Sequence, residues 1–329
     1  MEAILLSQLV KGFASPANDC YITDVVTDSR SRGKGSLFLA IKGERVNGQN
    51  FARKALSQGA EFVITEDLIA DVPAEKQRVV ANVLDASIKM GANVRAKYNL
   101  DVIGVTGSVG KTTTKDFIYA AISPFAPTVK SLGNRNNELG MPKTIYTFTQ
   151  ADKFRVLEMG MENFGDVHKL SIAAKPRAAV ITGIGVSHLE RMKTRENIFK
   201  AKMEICDGMS DDGVLVLNGD DDFLPAARPE KPKNIVYFAI KNQNADVVAK
   251  NIQQQGRSTA FVISDKKYGD FNCVIPTVGN HNVMDAMSAY AVATRLGFDP
   301  ARVCKNLGGY EVSGWRQNFV EKNGALIIE

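Results

Sequence analysis

The run Gly104-Val105-Thr106-Gly107-Ser108-Val109-Gly110-Lys111-Thr112-Thr113-Thr114 brings together the residue types that hold a polyphosphate. Glycines let successive backbone N–H groups turn inward around phosphate oxygens. A helix predicted from Thr113 to Ile122 adds unsatisfied donors and partial positive charge at its N-terminus. Lys111 can reach β- and γ-phosphates, and the Thr112 hydroxyl can ligate Mg²⁺. The pattern GxxxxGK[ST] would place its first glycine at position 105, which is Val; the match here is T-G-x-x-G-K-T-T. A glycine-rich turn carrying a surface lysine is the plainer alternative. The coincidence of strand, Gly-Lys-Thr and helix favours a nucleotide loop formed by Thr106, Gly107, Ser108, Val109, Gly110, Lys111, Thr112 and Thr113.

Four further clusters sit where apolar runs give way to polar ones. Gly133–Pro142 is a turn-rich segment with Asn134, Asn136 and Asn137. Glu158-Met159-Gly160 ends a predicted strand, Ser187-His188-Leu189-Glu190 follows another, and Lys202 lies on a predicted helix. Open α/β sheets bind ligands just beyond the C-terminal ends of their strands. A carboxylate and an imidazole placed there, facing a phosphate loop, can hold Mg²⁺ against ATP. Each residue also has a bland reading: Glu158 in a surface ion pair, His188 as a satisfied structural histidine, Lys202 as a solvated helix lysine.

The elements that must position these groups alternate along the chain. Strands are predicted at Asp101–Thr106, Arg155–Met159, Ala178–Ile184, Val214–Leu217 and Ile235–Phe238, with helical spacing between them. Such alternation implies a mostly parallel sheet covered by helices. Residues 246–275 are polar and alternating and predict antiparallel strands at one edge, while Asn282–Leu296 returns to helical spacing. Before residue 83 the pattern is that of a small α/β unit, with an apolar run at Ser36–Ile41, a helix at 50–58 and a strand at Glu61–Thr65; a helix at 84–98 follows it. The opening MEAILLSQLVKGF suits an amphipathic helix. The division expected is 1–82, 83–311 and a start of a third domain at 312–329. The final apolar run, Gly324–Glu329, reads as an interrupted strand.

The 329 residues are 44% hydrophobic and 23% charged, which describes a globular chain. No apolar run is long enough to span a membrane, and the start lacks the basic region of a signal peptide. The four cysteines (Cys20, Cys206, Cys273, Cys304) form no CxxC pair, so neither a zinc site nor a disulfide framework is expected, and a cytoplasmic setting is. A net charge of +5 without a basic tract argues against nucleic acid as a partner. His168 reads as a surface residue and Trp315 as packing at a domain junction.

A phosphate loop alone names no reaction. Taken with Gly133–Pro142 and Val156–Ile205, it makes the whole chain resemble the Mur ligase family, in its D-alanyl-D-alanine-adding branch. That resemblance implies a small N-terminal α/β domain, a P-loop NTPase-like central domain and a Rossmann-like third domain that is absent here. It implies an ATP- and Mg²⁺-dependent amide ligase acting on UDP-N-acetylmuramoyl-tripeptide and D-alanyl-D-alanine, and a monomer. By the same resemblance Thr112 and Glu158 hold Mg²⁺, His188 ligates a second ion, and Lys202 carries a carbamate that supports it. Asn280, His281 and Asn282 would contact the nucleoside and Arg316 the phosphates. Asn136 and Asn137 would lie near the muramoyl group, and Ser29 and Arg30 near the UDP end. Catalytic roles would then fall on Lys111, His188, Lys202 and Arg316. The chain departs from the family pattern at Gly183, Asp285 and Asn47–Phe51. A sister ligase (a diaminopimelate or lysine adder, or folylpolyglutamate synthase) and a nucleotide-binding module without turnover remain the alternatives.

Overall fold

The structure is a computed structural model that describes residues 1–30, 33–43, 46–311, 319–322 and 325–328, the last two stretches by backbone only. The chain forms two compact units. The first comprises Met1–Asn99 and Arg135–Ala151, the second Leu100–Asn134 and Asp152–Glu329.

In the first unit a parallel four-stranded sheet runs in the order Asp24–Val26, Ser36–Leu39, Ala60–Thr65, Gln77–Val79. All four residues of Ser36–Leu39 are buried, as a parallel strand covered on both faces requires. Phe38, Ala40 and Val63 pack with Ala52 and Ala55 of the Ala52–Ser57 helix. The helix Val83–Arg95 starts where Asn82 accepts from the Asp85 N–H at 2.9 Å, and it buries Val83, Ala86, Ser87, Met90 and Val94 at helical spacing. A second segment joins it there. Gly91 lies against Pro142 of the helix Gly140–Ile145, and the Tyr146 hydroxyl donates to the Ser87 carbonyl at 2.8 Å.

The amphipathic helix expected over the first 13 residues is a single turn, Leu6–Leu9. Ile4 and Leu5 are instead drawn into an antiparallel ladder with Tyr21 and Ile22, and a ladder fixes an extended backbone.

Among the described residues the second unit holds a nine-stranded sheet. Its order is Gly269–Ile275, Ser258–Asp265, Val247–Gln255, Asn234–Ala239, Val214–Asn218, Ala178–Ile181, Asp101–Thr106, Phe154–Glu158, Thr128–Lys130. The last seven are parallel, and the first three form the antiparallel edge read from the sequence. The helices Lys111–Ile122 and Asn280–Arg295 pack against one another and the sheet, burying Phe117, Ile118, Val283, Met287 and Tyr290. Arg295, at the end of its helix, reaches Asp265 through two hydrogen bonds of 2.6 and 2.9 Å, so this buried pair pins the helix to the antiparallel edge. The strand expected at Ala178–Ile184 stops at Ile181, because the chain leaves the ladder to form a loop around Gly183. Phe319–Lys322 and Ala325–Ile328 pair antiparallel. Among the described residues no helix is long and apolar enough to cross a membrane.

Candidate nucleotide and metal site

The sheet order places a crevice at its middle. From the central strand Asp101–Thr106 the chain moves to one edge, returns through Phe154–Glu158, then crosses to Ala178–Ile181 on the other side. The ends of these three adjacent strands come level, with Val105 paired to Glu158 and Thr106 to Ile181. Two loops carrying Gly107–Gly110 and Gly183–His188 therefore leave the sheet beside Glu158, the last residue of its strand. A reversal of strand order is where such sheets accept ligands.

Local chemistry sets the loop's shape. Gly107 has φ +148° and Gly110 φ +84°. A Cβ on Gly107 would collide with the Thr182 hydroxyl, and one on Gly110 would come within 2.7 Å of an Asp285 oxygen. Only glycine fits both the backbone and the space. The Ser108 N–H donates to the Gly183 carbonyl at 2.9 Å, and the Gly185 N–H to the Ser108 hydroxyl at 2.8 Å. Lys111 opens the helix and its ammonium bonds the Gly107 carbonyl at 2.8 Å. The Thr106 hydroxyl is buried and meets no hydrogen-bond partner among the described residues. Asp285 closes the underside, where its Oδ1 accepts from the Thr114 hydroxyl at 2.9 Å. Burial pushes this carboxyl up to about 7, against the smaller opposing effect of the Thr114 bond.

Thr112 and Glu158, both expected at a metal, lie side by side: the hydroxyl donates to Oε2 at 2.9 Å. Lys202 is 2% exposed on the helix Arg195–Met203. Burial, with help from the nearby Lys111 charge, pulls its amine down to about 7. His188 takes a left-handed backbone, φ 66°, ahead of a short helix that begins at Leu189. Its pKa is lowered by burial first, then by the charges of Lys202 and Lys111, so these three side chains share one electrostatic neighbourhood. Among the described residues no three His, Cys, Asp or Glu side chains gather as a metal cluster. Mg²⁺ needs no such cage, since it is held by one or two carboxylates with phosphate oxygens and water, and a hydroxyl beside a carboxylate suits it.

The remaining expected residues divide. Asn280 and His281 are exposed at the start of the Asn280–Arg295 helix. Asn282 faces inward, and its amide nitrogen donates to the Val278 carbonyl at 2.7 Å and the Thr277 hydroxyl at 3.1 Å. Arg316 and Trp315 lie outside the described residues. Sequence reasoning passed over Asp285 as a group beneath the loop, although its one-turn spacing from His281 and Asn282 marked the helix face.

The first unit has a cavity of its own, about 350 Å³, lined by Asp24, Thr27, Asp28, Arg135 and Lys143 among others. Lys143 donates to the Thr27 hydroxyl at 2.8 Å, and its pKa is lowered by burial and by Arg135. The acidic groups are engaged locally. Asp24 accepts from the Val25 N–H at 2.8 Å. Asp28 takes a two-pronged bond from the Arg30 guanidinium, which holds its carboxyl down at about 2. Ser29 is buried and Arg30 exposed beside it. Asn137 caps the next helix, its Oδ1 accepting from the Gly140 N–H at 2.8 Å, and Asn136 is half-buried.

Residues 105–293 match the Mur ligase middle domain and residues 21–103 the Mur ligase family catalytic domain. The chain is 35% identical over 326 residues to the UDP-N-acetylmuramoyl-tripeptide–D-alanyl-D-alanine ligase of Bacillus subtilis, covering 98% of itself and 70% of that protein. The Escherichia coli ligase of the same name is 30% identical, over 90% of this chain and 66% of the relative. Among solved structures, MurF from Acinetobacter baumannii aligns with TM-score 0.88 at 33% identity, over 98% of this chain and 71% of that one. MurF ligase from Thermotoga maritima, in complex with ADP, aligns at TM-score 0.83 and 29% identity, over 93% and 70%. With a family domain matched across more than half its length and such relatives across nearly all of it, the chain belongs to the Mur ligase family.

Proposed function

We propose that the protein is an ATP-dependent amide ligase of peptidoglycan precursor synthesis, joining D-alanyl-D-alanine to UDP-N-acetylmuramoyl-tripeptide. The observation that carries this reading is the meeting of Thr112 and Glu158 beside Lys111, in a chain similar over 98% of its length to a ligase of that name.

A carboxylate resists an amine because it is anionic and lacks a leaving group. ATP removes both obstacles: a carboxylate oxygen attacks the γ-phosphorus, ADP departs, and an acyl phosphate remains. The amine nitrogen then attacks the acyl carbon, and the tetrahedral adduct expels phosphate and loses a proton to give the amide. No enzyme nucleophile is required, so catalysis rests on placement and charge. The backbone N–H groups of residues 107–112 and the Lys111 ammonium would cradle the phosphates, drawing negative charge away from the approaching carboxylate. Thr112 and Glu158 would hold Mg²⁺, which when bound neutralises the phosphate oxygens. His188 and Lys202 would serve a second ion. An amine held near 7 is about half uncharged at neutral pH, and the uncharged form adds CO₂ and releases a proton to become an anionic carbamate. Asn280 and His281 would meet the nucleoside. In the domain organisation read from the sequence, 1–82 would take the UDP end, through Ser29 and Arg30, and 83–311 would take ATP; the cavity that Lys143 lines, built from both stretches within the first unit, would join in holding the UDP-sugar peptide.

The test is steady-state release of ADP and phosphate. It should need both UDP-N-acetylmuramoyl-tripeptide and D-alanyl-D-alanine. Equal turnover with a single amino acid such as diaminopimelate would assign a sister reaction, and nucleotide binding with no turnover a non-catalytic module.

A further inference from the structure

Lys115 lies one turn beyond Lys111 on the same helix and is 2% exposed. An ammonium so far from water persists where oxygen atoms replace its hydration. Its Nζ donates to the Gly133 carbonyl at 3.3 Å, and lies 3.8 Å from Oε2 of Glu158 and 3.9 Å from Oδ1 of Asp116. Lys130 pairs with the same Asp116 oxygen at 2.8 Å, so two ammonium groups face two carboxylates. The Glu158 backbone N–H donates to the buried Ser131 hydroxyl at 3.3 Å. Glu158 Oε2 therefore meets two residues of one helix face, Thr112 and Lys115, three positions apart.

We propose that Lys115 is a positioning residue for the cation: it fixes the Glu158 carboxylate against the first turn of the phosphate-loop helix. It also ties that carboxylate to the turn opening at Gly133. This role rests on the nucleotide and Mg²⁺ reading above. Lys111 and Lys115 thereby divide the work of one helix, the first facing phosphate and the second facing the group that holds the metal.

The test compares ADP binding by calorimetry in EDTA and in Mg²⁺ for the full chain. Lys115→Met removes the charge at similar length. It should cut the Mg²⁺-dependent tightening about tenfold, the scale seen when a group supporting a metal ligand is lost, and leave affinity in EDTA within about twofold. Lys115→Arg should restore most of the tightening. If Lys115→Met does not melt cooperatively, Lys115→Met with Asp116→Asn keeps the buried charges balanced and should show the same selective loss. Full tightening in the folded variant, equal loss in EDTA and Mg²⁺, or no recovery with arginine would each overturn the role. Wild-type binding indifferent to Mg²⁺ would instead remove the metal-site reading on which it stands.

Discussion

Thr112 and Glu158 join across 2.9 Å although 46 residues separate them, one opening a helix and the other closing the neighbouring strand. A glutamine at 158 keeps an oxygen for the Thr112 hydroxyl and removes the charge a cation needs. Glu158→Gln should lower turnover about 100-fold or more, the scale of losing one charge-stabilising group in such a site. ADP affinity in EDTA should stay near wild type. Coupled ADP release and calorimetry measure the two, and turnover within threefold of wild type would remove the carboxylate from the metal site.

Lys202 offers a chemical readout. An ordinary lysine amine is about 0.1% neutral near pH 7.5, whereas one held near 7 is mostly neutral. With ¹³C-labelled bicarbonate, a carbamate carbon resonance should appear at pH 8, weaken as pH falls below 7, and vanish in Lys202→Arg. Activity of Lys202→Ala should recover in part with added short carboxylic acids. Wild-type activity in Lys202→Arg would leave no place for the carbamate.

Asp285 links stability to pH. Its folded pKa, about 7, lies above the ordinary 3.8, so between roughly pH 4 and 7 the folded chain keeps a proton that the unfolded chain has released. Stability from this group is fully present below that window and is lost as pH rises through it. Asp285→Asn keeps an acceptor for Thr114 and never ionises. It should be more stable than wild type by about 1–3 kcal/mol at pH 8, with the gap closing at pH 4.5. Urea melts at the two pH values decide it; a variant less stable at both would mean the charge is wanted.

In the first unit Lys143 meets a neutral hydroxyl, with Arg135 close enough to lower its pKa. If the cavity they line takes the anionic end of the UDP-sugar peptide, Lys143→Met should weaken binding of that ligand about tenfold, the loss of one charge-assisted contact of roughly 1.4 kcal/mol. ADP binding should not move. Titration of each ligand separates these effects, and unchanged UDP-peptide affinity would place the substrate elsewhere.

Much of this was legible in the residues. Lys111, Thr112 and Glu158 sit at junctions of apolar and polar runs, and such junctions mark strand ends whatever the tertiary packing. Lys115 and Asp285 were not legible as a cation's support and a buried carboxyl, because their surroundings come from distant chain: Glu158 and Gly133 for one, the packing of Asn280–Arg295 on Lys111–Ile122 for the other. Composition alone reads both as ordinary polar positions on amphipathic helices. The segment Arg135–Ala151 likewise carries no compositional mark of belonging with the first unit. Its attachment includes a close helix crossing at Gly91, the Tyr146 hydroxyl on Ser87 and the Lys143 bond to Thr27.

That attachment governs the order in which the chain can mature. Because the first unit borrows 135–151, a nascent polypeptide halted at residue 99 lacks the partner that Ser87 and Gly91 require. The N-terminal portion therefore completes its packing only after residue 151 has been synthesised, by which time the opening strand and phosphate loop of its neighbour have already been made.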